Sequence, residues 1–291
     1  MAHIADIRGA GLGLKRELIP QLKQQHGESL LNHLHFLEIA PENWINAGGK
    51  YAADLDWFAA RYPIACHGLC LSLGGPDPIN VSFLNQVKKF LSDFEIPLYT
   101  EHLSYCSDTA NGYIYDLLPL PFTEEAVHYV AQRIRQTQDI LEQKIAVENT
   151  SFYVSAPMSE MNESSFINAV LQEADCNLHL DINNVYVNSV NFGFDPYAFL
   201  DQMPADRIVY GHIAGHLQVE SDLLVDTHGA SVIDPVWQLL EDAYQKLGVF
   251  PTLLERDTNI PPLAKLMPEV QRIHQCQQIA QQHPQTFNKV A

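Results

Sequence analysis

Short apolar runs that close on an acidic or imidazole side chain recur along this chain, with helical spacing in most of the intervals between them. Leu178-His179-Leu180-Asp181 shows the pattern plainly. A strand buried on both faces reads as an apolar run without alternation. This one ends on a carboxylate, and Ile182-Asn183-Asn184 predicts a polar turn directly after it. Read the same way, the strands are 9–14, 35–39, 63–67, 97–102, 144–148, 178–181, 207–212 and 252–255. Helical stretches fall between them. Residues 52–60 form one. Val81, Leu84, Val87, Leu91 and Phe94 recur at helical spacing behind Asn80, an N-cap residue. Thr123 opens another, with Glu124 and Glu125 in its first turn and Val127, Val130, Ile134 and Leu141 on its buried face. A further helix lies near 163–173. Asp234 as a cap, Pro235 at the first helical position and Gly248 after the end bound the next. Residues 262–283 form the last, and the polar residues after it are expected to be loose.

Eight strands mostly separated by helices predict an α/β chain folded as a parallel (β/α)8 TIM barrel. At 291 residues the expectation is a single domain over 1–291. An open doubly wound sheet is the alternative, but the glycines at 9, 11 and 13 lack the GxGxxG spacing of a dinucleotide loop. The turn-rich stretch Leu71–Pro78 is either a lid over a site or a long connection.

Charge narrows the function. A formal net charge of −18 argues against a nucleic-acid partner, which needs a basic patch. It suits a site that holds cations, or a basic peptide partner. No apolar run reaches membrane-spanning length. Five cysteines, at 66, 70, 106, 176 and 276, form no CxxC. With no apolar leader at the N-terminus, the expectation is a reduced, cytoplasmic protein. Cys66 reads as a core residue.

In a parallel barrel the carboxyl ends of all strands open on one face. Seven of the eight ends carry an acid or a histidine: Glu38, His67, His102, Glu148, Asp181, His212 and Glu255. One such residue alone would mean little. Seven at one mouth are hard to satisfy without cations, because clustered carboxylates repel. Asp226 and His228, two apart, reach one ion from an extended segment, and with Asn184 they form a third cluster.

The order His67, His102, Glu148, Asp181, Asn184, His212, Asp226, His228, Glu255 resembles the xylose-isomerase-like barrel superfamily, and within it three-metal endonucleases of the abasic-site type. It is more closely similar to the multinuclear non-heme iron-dependent oxidases of the MbnB-like, methanobactin-biosynthesis type. The motifs that carry the resemblance are Pro41-Glu42-Asn43, His67-Gly68 with Ser72-Leu73-Gly74-Gly75, Glu101-His102-Leu103-Ser104, Leu118-Pro119-Leu120-Pro121 and Glu148-Asn149. Further on come Leu180-Asp181-Ile182-Asn183-Asn184 running to Asn188, His212-Ile213-Ala214-Gly215-His216, Asp226-Thr227-His228-Gly229 and Asp234-Pro235-Val236-Trp237. One departure is Tyr210-Gly211 before His212, where the family often has an acidic residue.

The resemblance implies two or three iron ions. His67, His102 and Glu148 would hold the first. Glu148 would bridge to a second held with Asp181, His212 and Glu255, and Asn184, Asp226 and His228 would hold a third. Mixed imidazole and carboxylate ligation suits iron, manganese or zinc. The resemblance also implies dioxygen-dependent modification of cysteine residues in a ribosomally synthesised precursor peptide, by oxazolone–thioamide or related chemistry, with a separate protein that delivers the peptide. Glu148, Asp181 and His216 are the residues it places closest to the reaction, His216 standing open between a substrate-facing and a supporting role. His179 reads as packing, and Glu38, Glu42 and Glu101 as hydrogen-bonding partners of ligands. The ligand types alone also permit a zinc or manganese phosphoesterase, a sugar isomerase, or a barrel that only binds metal.

Overall fold

The structure is a computed structural model that describes residues 7–110 and 112–282. The chain begins with β1 (Ala10–Gly13), α1 (Ile19–Gln24), β2 (Phe36–Ile39), α2 (Gly49–Ala59), β3 (Ile64–Gly68) and α3 (Val81–Asp93). Next come β4 (Leu98–His102), a hairpin of β5 (Tyr105–Asp108) and β6 (Gly112–Leu118), α4 (Glu124–Leu141), β7 (Ala146–Glu148), α5 (Glu163–Ala174) and β8 (Asn177–Asp181). It ends with α6 (Ile182–Phe192), α7 (Pro196–Leu200), β9 (Ile208–Ile213), a second hairpin of β10 (Leu217–Glu220) and β11 (Leu223–Val225), α8 (Asp234–Leu247), β12 (Thr252–Leu254) and α9 (Leu263–Gln282). Strands β1, β2, β3, β4, β7, β8, β9 and β12 close into one barrel in that order, each pair parallel. The predicted eight-stranded barrel is therefore the fold. The loose tail expected at the C-terminus lies outside the described residues.

Period-two alternation divides the barrel interior into layers. Ile7, Phe36, Ala65, Leu98, Tyr210 and Leu253 form a closed apolar cluster at the floor. Two residues further along the same strands stand Glu38, His67, Thr100, His212 and Glu255. The floor is packed so tightly that a Cβ on Gly11 would fall 2.3 Å from the Phe36 ring, which explains a glycine inside β1. The larger core, including Leu37, Cys66, Leu178, Leu180, Trp237 and Val270, lies outside the strands.

The cap signals read from the sequence held at two of three helix starts. Asn80 accepts a hydrogen bond from the Phe83 N–H at 3.0 Å, and Thr123 accepts one from the Ala126 N–H. At α8 the helix begins one residue early: Ile233 flanks it, and Asp234 is its first residue, acting through the dipole rather than as a cap. The predicted turn after Asp181 is instead the first turn of α6, with Asp181 as its cap. The stretch Leu71–Pro78 is fastened from behind. Arg133 donates to the carbonyls of Leu73 (2.6 Å), Asp77 (2.6 Å) and Ser72 (3.1 Å), and Tyr129 donates to that of Gly75. It is a pinned connection. Among the described residues no helix is long and apolar enough to cross a membrane.

Candidate metal centre

Glu148 ends β7 with its carboxylate buried at the centre of the mouth. Its Oε2 lies 3.2 Å from His67 Nε2 and 3.3 Å from His102 Nε2. Those two nitrogens are 3.1 Å apart. Its Oε1 faces the other way, 3.6 Å from His212 Nδ1. The same nitrogen lies 2.8 Å from Glu255 Oε2 and 3.9 Å from Asp181 Oδ2. One carboxylate thus fronts two groups of donors, and a carboxylate can use both oxygens at once.

The donors are aimed by their neighbours. Thr100 Oγ1 occupies His67 Nδ1 at 2.7 Å, which turns Nε2 to the centre. Glu38 Oε2 accepts from His212 Nε2 at 2.9 Å, which turns Nδ1 there instead. Tyr210 donates to the same Glu38 oxygen at 2.8 Å, so Tyr210 holds the carboxylate that orients His212. Asn149 brackets the Asp181 backbone, accepting from its N–H at 2.9 Å and donating to its carbonyl at 3.0 Å. Asp181 Oδ1 is spent on the Asn184 N–H at 2.7 Å, leaving Oδ2 for the centre. Glu42 accepts from the N–H groups of Leu69 and Cys70. Glu101 accepts from the Tyr99 hydroxyl at 2.7 Å; burial, then Glu42, raises its pKa to about 8.

A third group is carried by loops. His228 Nε2 lies 2.6 Å from Asp226 Oδ1. Its Nδ1 lies 3.0 Å from Asp257 Oδ2 and 3.3 Å from Glu255 Oε2. Asp257 was not singled out from the sequence, although Glu255 and Asp257 repeat the two-apart spacing of Asp226 and His228; Lys15 pairs with it. Asp226 accepts from Ser151 at 3.1 Å and from Asn183 Nδ2 at 2.8 Å. Asn184 donates to the Asn149 carbonyl and keeps a buried Oδ1 without a hydrogen bond. His216 is buried against the Tyr186 ring, with Nδ1 2.7 Å from Asn183 Oδ1. Asn183 links it to Asp226. His179 is fully buried at a lower level, 3.8 Å from Glu148 Oε1.

Donors that could share an ion fall into sets whose atoms all lie within 4.8 Å: His67, His102, Glu148; Glu148, Asp181, His212, Glu255; Glu148, His179, His212; and His228, Glu255, Asp257. Hydrogen bonding tests whether these sets fit a cation. Glu148 Oε2, Asp181 Oδ2, Asn184 Oδ1, His212 Nδ1, His228 Nε2 and Glu255 Oε2 are buried without a hydrogen-bond partner. Several approach one another closely, yet the contacts lack hydrogen-bond direction. Each unsatisfied buried group costs about 1–3 kcal/mol, and a cation would satisfy them together. The residues present fit one.

Without an ion, protons carry the positive charge. Burial alone would lower the pKa of His67, but the Glu148 carboxylate raises it to about 9. Burial opposes charge on His212 and His228 too, yet Glu38 and Glu255 hold the first protonated, and Asp226 and Glu255 the second. His102 goes the other way, lowered by burial and by His67. Burial and Glu148 push Asp181 well up. Burial would raise Glu255 as well, but His228 and His212 hold it well below the usual carboxylate range.

Above the donors opens a cavity of about 270 Å³. His67, His102, His228 and Glu255 lie at its base, with Tyr113 from β6 and Tyr153 from the segment after β7 on its walls. His216 is not among its lining residues.

A family model described as RiPP precursor modification enzyme MbnB/TglH/ChrH matches residues 9–278. A UPF0276 protein of Nitrosospira multiformis is 59% identical over 273 residues, covering 94% of each chain. One from Shewanella loihica is 53% identical, covering 91% of this chain and 92% of its own. Among solved structures, an L-ribulose 3-epimerase superposes with a TM-score of 0.61 at 14% identity, covering 94% of this chain and 96% of its own. A xylose isomerase-like TIM barrel protein from Mycobacterium smegmatis in complex with magnesium gives 0.60 at 11%, covering 96% and 99%. At such identities those two show the fold alone, a xylose-isomerase-like barrel. The match along nearly the whole sequence shows more: this chain belongs to the family of RiPP precursor modification enzymes MbnB/TglH/ChrH.

Proposed function

We propose that the chain is an iron-dependent, dioxygen-using oxidase that modifies cysteine residues of a ribosomally synthesised precursor peptide. The observation that carries this reading is Glu148, whose two oxygens front two separate groups of buried, unsatisfied donors. His67, His102 and Glu148 would hold one ion; Glu148, Asp181, His212 and Glu255 a second; Asn184, Asp226 and His228 a third. The donors are imidazole, carboxylate and one amide, and Cys66 is turned into the outer core, so a ligand set for iron, manganese or zinc remains. When bound, iron would supply a site for a substrate thiolate and electrons for dioxygen.

The protein's own residues do the positioning. Thr100 and Glu38 fix which nitrogen each imidazole presents. Asn183 holds Asp226 and is itself held by His216, so His216 acts as a positioning residue. The cavity above His102 and His228 has room for a side chain of an extended peptide, with Tyr113 and Tyr153 beside it. The −18 net charge suits capture of a basic leader or of a protein that delivers the peptide.

Elemental analysis with Mössbauer spectroscopy, on protein made with iron and purified without oxygen, tests the reading. Two or three irons per chain with coupled ferric and ferrous character are expected. Tightly held zinc or manganese that iron cannot replace would overturn it in favour of a hydrolase.

A further inference from the structure

Beneath the centre, inside the barrel, sits an imidazole that none of the three positions uses. His179 is on the same strand as Asp181 and two residues before it, so both point inward, with His179 nearer the floor. It is completely buried, and neither of its ring nitrogens has a hydrogen-bond partner. Its ring lies edge-on to that of His212 at 4.0 Å and packs against Tyr210 at 4.8 Å and His67 at 5.2 Å. A neutral imidazole has one donor and one acceptor to satisfy. Here both are turned among rings and a carboxylate.

The donors nearest it are Glu148 Oε1, 3.8 Å from His179 Nε2, and His212 Nδ1, 3.6 Å from that same oxygen. Two ligands of one tetrahedral zinc ion stand about 3.4 Å apart, given bonds of about 2.0–2.1 Å. These two separations are within a few tenths of an ångström of that spacing, and all three donor atoms lie within 4.8 Å of one another. Two imidazoles and one carboxylate form the donor set of many zinc sites, whereas the set above, with Asp181 and Glu255, is richer in hard oxygen.

We infer that Glu148, His179 and His212 form an alternative, zinc-selective position, lower in the barrel than the one proposed for the second ion and sharing Glu148 and His212 with it. The inference rests on the reading that this mouth binds metal, and not on iron or on oxidation. His212 Nδ1 has a single lone pair, so it serves either the lower position or the upper one. Zinc in the lower position therefore takes His212 away from Asp181 and Glu255, and His179 becomes a determinant of which metal the centre accepts.

The test is a titration of the metal-free, full-length protein with Zn2+ and with Mn2+, comparing the natural chain with His179→Leu. Leucine keeps the bulk and removes both ring nitrogens. The expected result is a Zn2+ affinity about tenfold or more weaker at one position, with Mn2+ affinity unchanged. Equal Zn2+ isotherms would overturn the inference. So would parallel weakening of both metals, since that would show His179 only propping the centre. A melting curve of the metal-free variant verifies folding. If His179→Leu fails to fold, nitrogen NMR of the natural protein labelled in histidine decides. A His179 Nε2 signal that moves to the metal-bound range on adding Zn2+ supports the position, and one that stays overturns it. A natural protein that binds neither ion overturns both this inference and the metalloenzyme reading. One that binds iron as proposed, with His179 silent toward zinc, overturns this inference alone.

Discussion

Two halves of the centre are built differently. His67, His102, Glu148, Asp181 and His212 stand on barrel strands, where the ladder sets their spacing: His102 is paired with Glu148, and Asp181 with His212. Asp226, His228 and Asp257 stand on loops after β11 and β12, and side chains set their spacing: Ser151, Asn183 and Lys15. A strand-borne donor is preorganised by the fold. A loop-borne donor depends on a few hydrogen bonds worth about 0.5–1.5 kcal/mol each. The strand half should be insensitive to its surroundings, and the loop half adjustable by whatever binds in the cavity.

The sharpest way to break this contrast is Glu148→Gln. The amide keeps the shape and removes the charge from both sides of the bridge, so the two adjoining ions should each bind about 100-fold more weakly or be lost. Full metal content in the variant would mean that Glu148 bridges nothing. Glu38→Gln should cost less, about tenfold to 100-fold at the Asp181–His212 position only, because the His212 ring exchanges a charged acceptor for a neutral one. A smaller, local effect is expected of Asn183→Ala. It frees Asp226 and His216 together and should weaken the loop-borne ion about tenfold while sparing the strand-borne pair. If all three ions weaken equally in calorimetric titration, the two halves are one.

The smallest effect is a pH dependence. His67, raised from 6.5 to about 9 by Glu148, stabilises the metal-free fold fully below pH 6.5, and this contribution disappears as pH rises through 9. Glu101, raised from 4.5 to about 8, works in the same direction, since the folded state resists its ionisation. The melting temperature of the metal-free protein should therefore fall between pH 6.5 and 9. In the metal-loaded protein the slope should be shallower, because an ion replaces the His67 proton. A metal-free melting temperature that rises over this window would contradict both assignments.

The same contrast governs what could be read from the sequence. Strand ends are legible because a buried strand is a short apolar run, and a charge at its end is conspicuous. His67, His102, Glu148, Asp181, His212 and Glu255 stand out in the sequence for that reason, and the barrel with them. Helix α6 was hidden because its buried face carries Asn183, Asn184 and Asn188. Asparagine is a weak helix former, and buried asparagines erase the apolar stripe. The hairpins β5–β6 and β10–β11 do not show in the sequence because β5, β10 and β11 are only three or four residues long and partly or fully exposed. Asp257 was missed because a loop carboxylate has no periodic context, though its spacing from Glu255 was a usable signal. His179 reads as packing, and it does lie buried against His212, Tyr210 and His67; parity with Asp181 on β8 is the sign that it faces inward.

The apolar floor has a consequence for traffic. Phe36, Leu98, Tyr210 and Leu253 pack across the lower end of the barrel, so among the described residues the donors open toward the cavity above them. That cavity is walled by Tyr113, Tyr153 and the Asp226–His228 loop. Any ion the proposed centre takes up or gives up would then have to pass the same mouth, so donors near the floor, such as His179, are reached only past those above them.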